Sequence, residues 1–207
     1  MKKLIILTAA ICFAGVLPSQ NTQKSSSKTK GLFRTTVSLD IKSSNEKALT
    51  VIDKFIDQYN HNIPPLFGWA LTGIKLQGEK DSFIEFNIKS HDYNKTNNTV
   101  NGVMAINVGM LGKHFENINY KTQLRKEVKP DNSVILRYEM LECEEVISKV
   151  VAELNVVQKT ADTVQLTFAV DVKLSMPYNL MTFKQYRENL EWRFVKFLQN
   201  IRKELEK

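Results

Sequence analysis

Two opposite periodicities stand back to back near the end of this chain, and they constrain its fold more than anything else in it. Val164, Leu166, Phe168, Val170, Val172 and Leu174 alternate with less apolar residues without a miss, the pattern of a strand with one buried face. Tyr186, Leu190, Phe194, Phe197, Leu198, Ile201 and Leu205 then recur at helical spacing, while Lys184, Arg187, Glu188, Arg193, Lys196, Arg202 and Lys203 occupy much of the rest. Thr182 and Gln185 have the spacing of a capping box, which starts that helix. Its wide aromatic-aliphatic stripe must bury against something, and the available partner is the apolar face of a sheet. The chain is thereby restricted to folds in which a long C-terminal helix lies on a β layer.

The front of the chain supplies the matching pieces. In Arg34 to Lys42, Thr35, Val37, Leu39 and Ile41 share one face, which reads as a half-buried strand. Ser43 and Glu46 form a second capping box, followed by Ala48, Val51, Ile52, Phe55, Ile56 and Tyr59 at helical spacing. Residues 60–68 read as a loop broken by Pro64 and Pro65. Strands are predicted over 69–76 and 82–89, joined by a turn at 78–81, with a polar loop over 91–99 and a strand over 100–110. Strands 118–128 and 134–141 pair across Lys129-Pro130-Asp131-Asn132, and strands 146–158 and 163–174 pair across 159–162. Residues 144–154 would also suit the start of a helix; their β-branched run favours strand. Seven strands thus follow the first helix. The expectation is one α+β domain over 31–207, an antiparallel sheet with helices on one face.

The first thirty residues read differently. Lys2 and Lys3 precede an almost wholly apolar run, Leu4 to Leu17, which Pro18, Ser19 and Gln20 end. This is the order of a secretory signal peptide, assigned here to residues 1–20, and it predicts a periplasmic or secreted protein. Small residues suit cleavage at Cys12-Phe13-Ala14 or near Ser19. Bulky Ile11 before Cys12 disfavours lipid anchoring. Residues 21–30, polar, Ser-rich and basic, read as a flexible linker. No apolar run reaches the roughly 18 residues of a membrane-spanning helix.

Charge excludes one class of partner. The net charge is +7, but residues 1–30 carry five lysines and no acid, and 182–207 carry seven basic and four acidic side chains. The span 31–181 is therefore slightly acidic, without the clustered Lys/Arg that a nucleic-acid binder needs, so no nucleic-acid partner is expected.

The order of elements resembles the helix-grip fold of the START/polyketide-cyclase-like (SRPBCC) superfamily, which includes pathogenesis-related plant allergens and coenzyme Q-binding proteins. The resemblance rests on the Arg34–Tyr59 start and the Thr182–Leu205 end and spans residues 33–205. That superfamily has no short diagnostic motif, so no functional residue carries over by position. The resemblance implies a helix-grip-like curved antiparallel sheet, with a short N-terminal helix and a long C-terminal helix packed on one face. It also implies a cavity between sheet and long helix for a lipid or other hydrophobic small molecule. The candidate wall residues on strands are Phe86, Met104, Tyr120, Tyr138, Met140 and Phe168, with Phe183 and Leu190 on the helix. Aromatics and Met make a soft apolar wall, and a Tyr hydroxyl can orient a polar head group. The same stripe would serve equally in a solid core.

Chemistry-bearing patterns are sparse. His61, His91 and His114 fall in predicted loops without the spacing of a zinc site, and no metal or cofactor is expected. The sequence has no dinucleotide fingerprint, P-loop or nucleophile elbow. Asp53/Asp57 and Glu142/Glu144 read as solvated charge, and His114 beside Glu116 as a solvated turn. Glu142, Glu144 and Glu145 around Cys143 suppress its thiolate, so that cysteine reads as structural and not nucleophilic. The reading that follows is an exported, non-enzymatic binding protein for a hydrophobic small molecule or lipid. A solid-core structural or interaction domain is the alternative, with an apolar patch around Trp192 and Val195 as its candidate surface. A cyclase- or hydrolase-like enzyme using Tyr120 or Tyr138 ranks third.

Overall fold

The structure, a computed structural model, describes residues 22–77, 84–109 and 112–207. Eight strands form one antiparallel sheet in the order β1-β2-β8-β7-β6-β5-β4-β3: β1 (Gln23–Thr29), β2 (Leu32–Lys42), β3 (Glu85–Asn94), β4 (Thr99–Val108), β5 (Lys113–Val128), β6 (Val134–Cys143), β7 (Ile147–Thr160) and β8 (Thr163–Leu174). Between β2 and β3 lie α1 (Asn45–His61) and the short α2 (Pro64–Gly68). After β8, α3 (Phe183–Tyr186) runs through a π-helical turn, Arg187–Glu191, into α4 (Trp192–Leu205). This is the α+β helix-grip arrangement: six strands from β3 to β8 form a meander, and β2 returns to pair with β8.

Alternation built the inner face as expected. Phe33, Thr35, Val37, Leu39 and Ile41 of β2 are all 2% exposed or less. Each fully buried large apolar side chain among them stabilises the fold by about 1.5–3 kcal/mol. Thr35 is accommodated because its hydroxyl bonds Tyr186 Oη at 2.7 Å and Ser26 Oγ at 2.9 Å. Bulges interrupt the register at Ile88/Ser90, Met104/Ile106, Lys121/Thr122, Ile147/Lys149 and Gln158/Thr160. Each bends its strand, and together they curl the sheet. α4 packs on β2 and β8, and α1 packs on β3, β7, β8 and α4.

Several expectations are corrected. Within residues 21–30, read as a flexible linker, Gln23–Thr29 is an edge strand paired with β2 from Gln23↔Ser38 to Thr29↔Leu32. Lys30 (φ 48°) and Gly31 (φ 78°) supply the two left-handed residues of its tight hairpin. Backbone pairing, together with a Lys24–Glu191 ion pair at 2.8 Å, holds a strand that has almost nothing to bury. The first helix is capped by Ser44, which accepts from Lys47 N at 3.2 Å; Ser43 instead donates its backbone N–H to Asp162 O at 2.9 Å. Part of the loop at 60–68 is helical, with Pro64 and Pro65 in the first turn of α2, where their missing N–H groups cost nothing.

The strand expected at 69–76 is absent, which leaves six strands after α1. Gly73, Lys75 and Gln77 have positive φ (69°, 59° and 54°), incompatible with an extended run. The carbonyls a neighbouring strand would satisfy are taken by side chains of α4. Asn200 donates to Ala70 O at 3.1 Å and Thr72 O at 2.8 Å, and Arg193 donates to the carbonyls of Ile74 and Lys75. The predicted loop at 91–99 is mostly strand, since β3 continues to Asn94 before a turn at 95–98. All three histidines therefore leave the predicted loops: His61 ends α1, His91 lies in β3 and His114 in β5. The expected signal peptide at 1–20, the turn at 78–81 and Met110 fall outside the described residues. Among the described residues no helix is long and apolar enough to cross a membrane.

Candidate functional site

Between the curled sheet and the C-terminal helix lies a cavity of about 630 Å³. Its floor is the inward face of β6, β7 and β8: Leu136 and Tyr138, then Val150, Ala152 and Leu154, then Phe168, Val170 and Val172. Its roof is Leu190, Arg193, Phe194 and Phe197, and Phe55 of α1 closes one side. Phe168 meets Phe197 with ring centroids 4.8 Å apart and Phe194 at 6.3 Å, so sheet and helix touch through these rings beside the open space. Val164, Leu166 and Val170 on the same face are 1% exposed or less, whereas Phe168 is only half-buried.

The 175–181 segment forms the mouth. Pro177, Tyr178, Leu180 and Met181 line the cavity, yet Leu180 is 70% exposed and neighbouring Met176 is 67% exposed. A residue that faces the interior space and the solvent together marks an opening. Leu71, Ile74 and Leu76 make the 71–76 segment a second lip, held to α4 by Arg193.

Of the eight residues expected to form the wall, Phe86, Tyr138, Phe168 and Leu190 line the cavity. Met104, Tyr120, Met140 and Phe183 do not. Met104 sits beside a bulge in β4 and is buried in the core. Tyr120 turns its hydroxyl to Ser90 O at 3.1 Å and His91 Nδ1 at 3.0 Å. Met140, paired with Thr122 beside the β5 bulge, packs against the core outside the wall. Phe183 stacks with Tyr186, with the Arg187 guanidinium 6.0 Å above its ring. β7 and the 175–181 segment were missed. The alternation of Val150, Ala152 and Leu154 was visible in the sequence, whereas nothing there marks 175–181 as a rim.

Among the described residues, four lining side chains carry a nitrogen or oxygen: Tyr138, Tyr178, Gln185 and Arg193. Gln185 completes the capping box of α3, accepting from Thr182 N at 2.9 Å. Arg193 is buried, and its guanidinium donates to the carbonyls of Asn189, Ile74, Lys75 and Ile84, tying helix to loop. Tyr138 faces Tyr59, whose hydroxyl shares a 2.5 Å hydrogen bond with Thr122. Burial pushes both tyrosines well above the usual phenol range, so neither is a ready base.

Elsewhere the reactive side chains behave as structure. Burial, with added push from Glu144 and Glu145, raises the Cys143 thiol. Glu116 is held down to about 2 by hydrogen bonds from Lys89 and His114 on an exposed strand face. No cluster of His, Cys, Asp or Glu able to hold a metal occurs among the described residues. Trp192 is half-buried under the Arg193 guanidinium, 5.0 Å from its ring, so the apolar patch expected there is not formed by that ring.

No protein-family model matches the sequence, and no curated protein matches it. Solved structures do match. A conserved protein from Geobacillus kaustophilus superposes with a TM-score of 0.51 at 10% identity, covering 84% of this chain and 95% of its own. A STAR-related lipid transfer protein from Xanthomonas axonopodis superposes with a TM-score of 0.50 at 13% identity, covering 89% of this chain and 99% of its own. These likenesses show the fold alone, a helix grip over most of the chain.

Proposed function

We propose that this START-like helix-grip protein is a non-enzymatic carrier that holds a hydrophobic small molecule or lipid between its sheet and its C-terminal helix. One observation carries the reading: a space of about 630 Å³, walled almost wholly by aliphatic and aromatic side chains and open at the 175–181 segment. Interiors normally pack without voids of that size, and its volume lies in the range of small-molecule sites. A solid-core domain would have had sheet and helix side chains meeting along their length. Among the described residues the wall offers no carboxylate or imidazole to move a proton, which supports a binding role over a cyclase-like reaction. The fold likeness to a lipid transfer protein agrees with the same reading. Export is part of the proposal and rests on residues 1–20, with the basic start, apolar run and polar break of a signal peptide.

The test is extraction of the purified protein with organic solvent, followed by native mass spectrometry of the stripped chain with added Nile red. One bound dye per chain, displaced by the extracted lipid, is expected. Absence of any co-purified apolar compound together with failure to bind Nile red refutes the carrier reading. Export is tested separately by N-terminal sequencing of the mature protein, where an intact Met1 would overturn it.

A further inference from the structure

The cavity is selective in a way its apolar wall alone does not reveal. In the sheet, Leu124, Tyr138, Ala152 and Val170 form one cross-strand row, with Leu136, Leu154 and Phe168 one row further in from the mouth. Tyr138 therefore lies two rows in from Leu174, the end of β8 that leads into the mouth segment. Of the other polar groups among the described wall residues, Gln185 is engaged in its cap and Arg193 with four backbone carbonyls, while Tyr178 belongs to the rim segment. Tyr138 faces a hydroxyl, that of Tyr59, which is already bonded to Thr122.

Building on the carrier reading, we propose that the guest is a neutral amphiphile with a hydroxyl end, inserted polar end first to hydrogen-bond Tyr138, and that carboxylate-headed lipids are rejected. Whichever way the protons run along Tyr138, Tyr59 and Thr122, an alcohol completes the chain, because it donates and accepts equally well. A carboxylate only accepts. It would lose its hydration, and the cation among the described lining residues, Arg193, already holds backbone carbonyls with its guanidinium, so the cost is far above that of burying a hydrogen-bonded hydroxyl. The environment that keeps Tyr138 and Tyr59 protonated disfavours negative charge on any group beside them.

The experiment uses the full chain stripped of lipid, with Nile red as a neutral reporter and 1-dodecanol and dodecanoate as competitors at pH 8. Dodecanol is expected to displace the dye at concentrations about tenfold lower than dodecanoate. Tyr138→Phe is expected to weaken dodecanol about fivefold relative to its effect on Nile red, the loss of one hydrogen bond. Equal competition by alcohol and carboxylate overturns the proposal, and so does a folded Tyr138→Phe variant that binds dodecanol as the natural chain does. Either result leaves the carrier reading intact, provided Nile red binds. If neither dye nor dodecanol binds, the carrier reading falls and this selectivity with it. The alcohol and acid comparison on the natural chain needs no variant.

Discussion

Filling the cavity from its floor separates open space from tight packing by the sign of a stability change. Ala152 sits on β7 between Tyr138 and Val170, lines the cavity, and is 8% exposed. In Ala152→Phe the new ring needs roughly 100 Å³, a fraction of the roughly 630 Å³ available. At roughly 24 cal/mol per Å³ of cavity removed, the gain is at most ~2 kcal/mol. Ordering the ring takes back up to about 1 kcal/mol. A net gain of about 1 kcal/mol raises Tm by roughly 2–4 °C for a chain of this length. In a packed interior the same substitution would cost about 1–3 kcal/mol. The assay is urea and thermal unfolding of lipid-stripped protein, with Nile red titration alongside. Ala152→Phe is expected to be at least as stable as the natural chain and to bind the dye about tenfold more weakly. Destabilisation beyond about 1 kcal/mol, or unchanged dye binding, would refute the assignment of this space as a binding cavity.

Three further outcomes are expected. A Cβ at Gly102 would overlap both the Tyr120 ring and the Ser90 carbonyl, so Gly102→Ala should destabilise by about 1–3 kcal/mol; a neutral effect in urea unfolding would show that β3 and β4 separate easily there. Arg193→Met strips the donor from carbonyls of the 71–76 lip and of Ile84, so amide exchange in residues 69–77 should rise at least tenfold with a loss of about 3 kcal/mol; unchanged protection would remove Arg193 as the clamp. Burial lowers the His91 pKa, opposed by its bond to Tyr59 O at 2.6 Å, so the unfolded chain takes up that proton more readily than the folded one. Its stabilisation is complete above the unfolded value of roughly 6.5 and is lost as pH falls below it. Tm should therefore decline between pH 7 and 5, before Asp171, held low by hydrogen bonds from Arg34, titrates. Equal declines in the natural chain and in His91→Gln would sink that assignment.

The layer architecture was legible in the sequence. Period-two alternation in Val164–Leu174 and Thr35–Ile41 and the helical stripe from Tyr186 to Leu205 named their own buried faces, because a face that must leave water is written locally. The Thr182–Gln185 box was equally local, and it formed. Failures came where a segment's conformation is set by a partner and not by its own apolar pattern. β1 has no apolar signal, and only its pairing with β2 makes it a strand. Residues 69–76 have strand-like composition, but Arg193 and Asn200, more than a hundred residues later, take their carbonyls.

The candidate site shows the same division at higher stakes. Sequence determined that Phe168, Tyr138 and Leu190 face inward, since parity along a strand and phase around a helix are set by neighbouring residues. It did not determine whether they meet anything. Whether two apolar surfaces interlock or stand apart depends on sheet curvature, on bulges such as those at Lys121/Thr122 and Ile147/Lys149, and on where α1 and α4 come to rest. Those are sums over many distant contacts. An empty volume has no residues of its own, so no pattern in the chain spells it, and only the assembled layers decided that it exists.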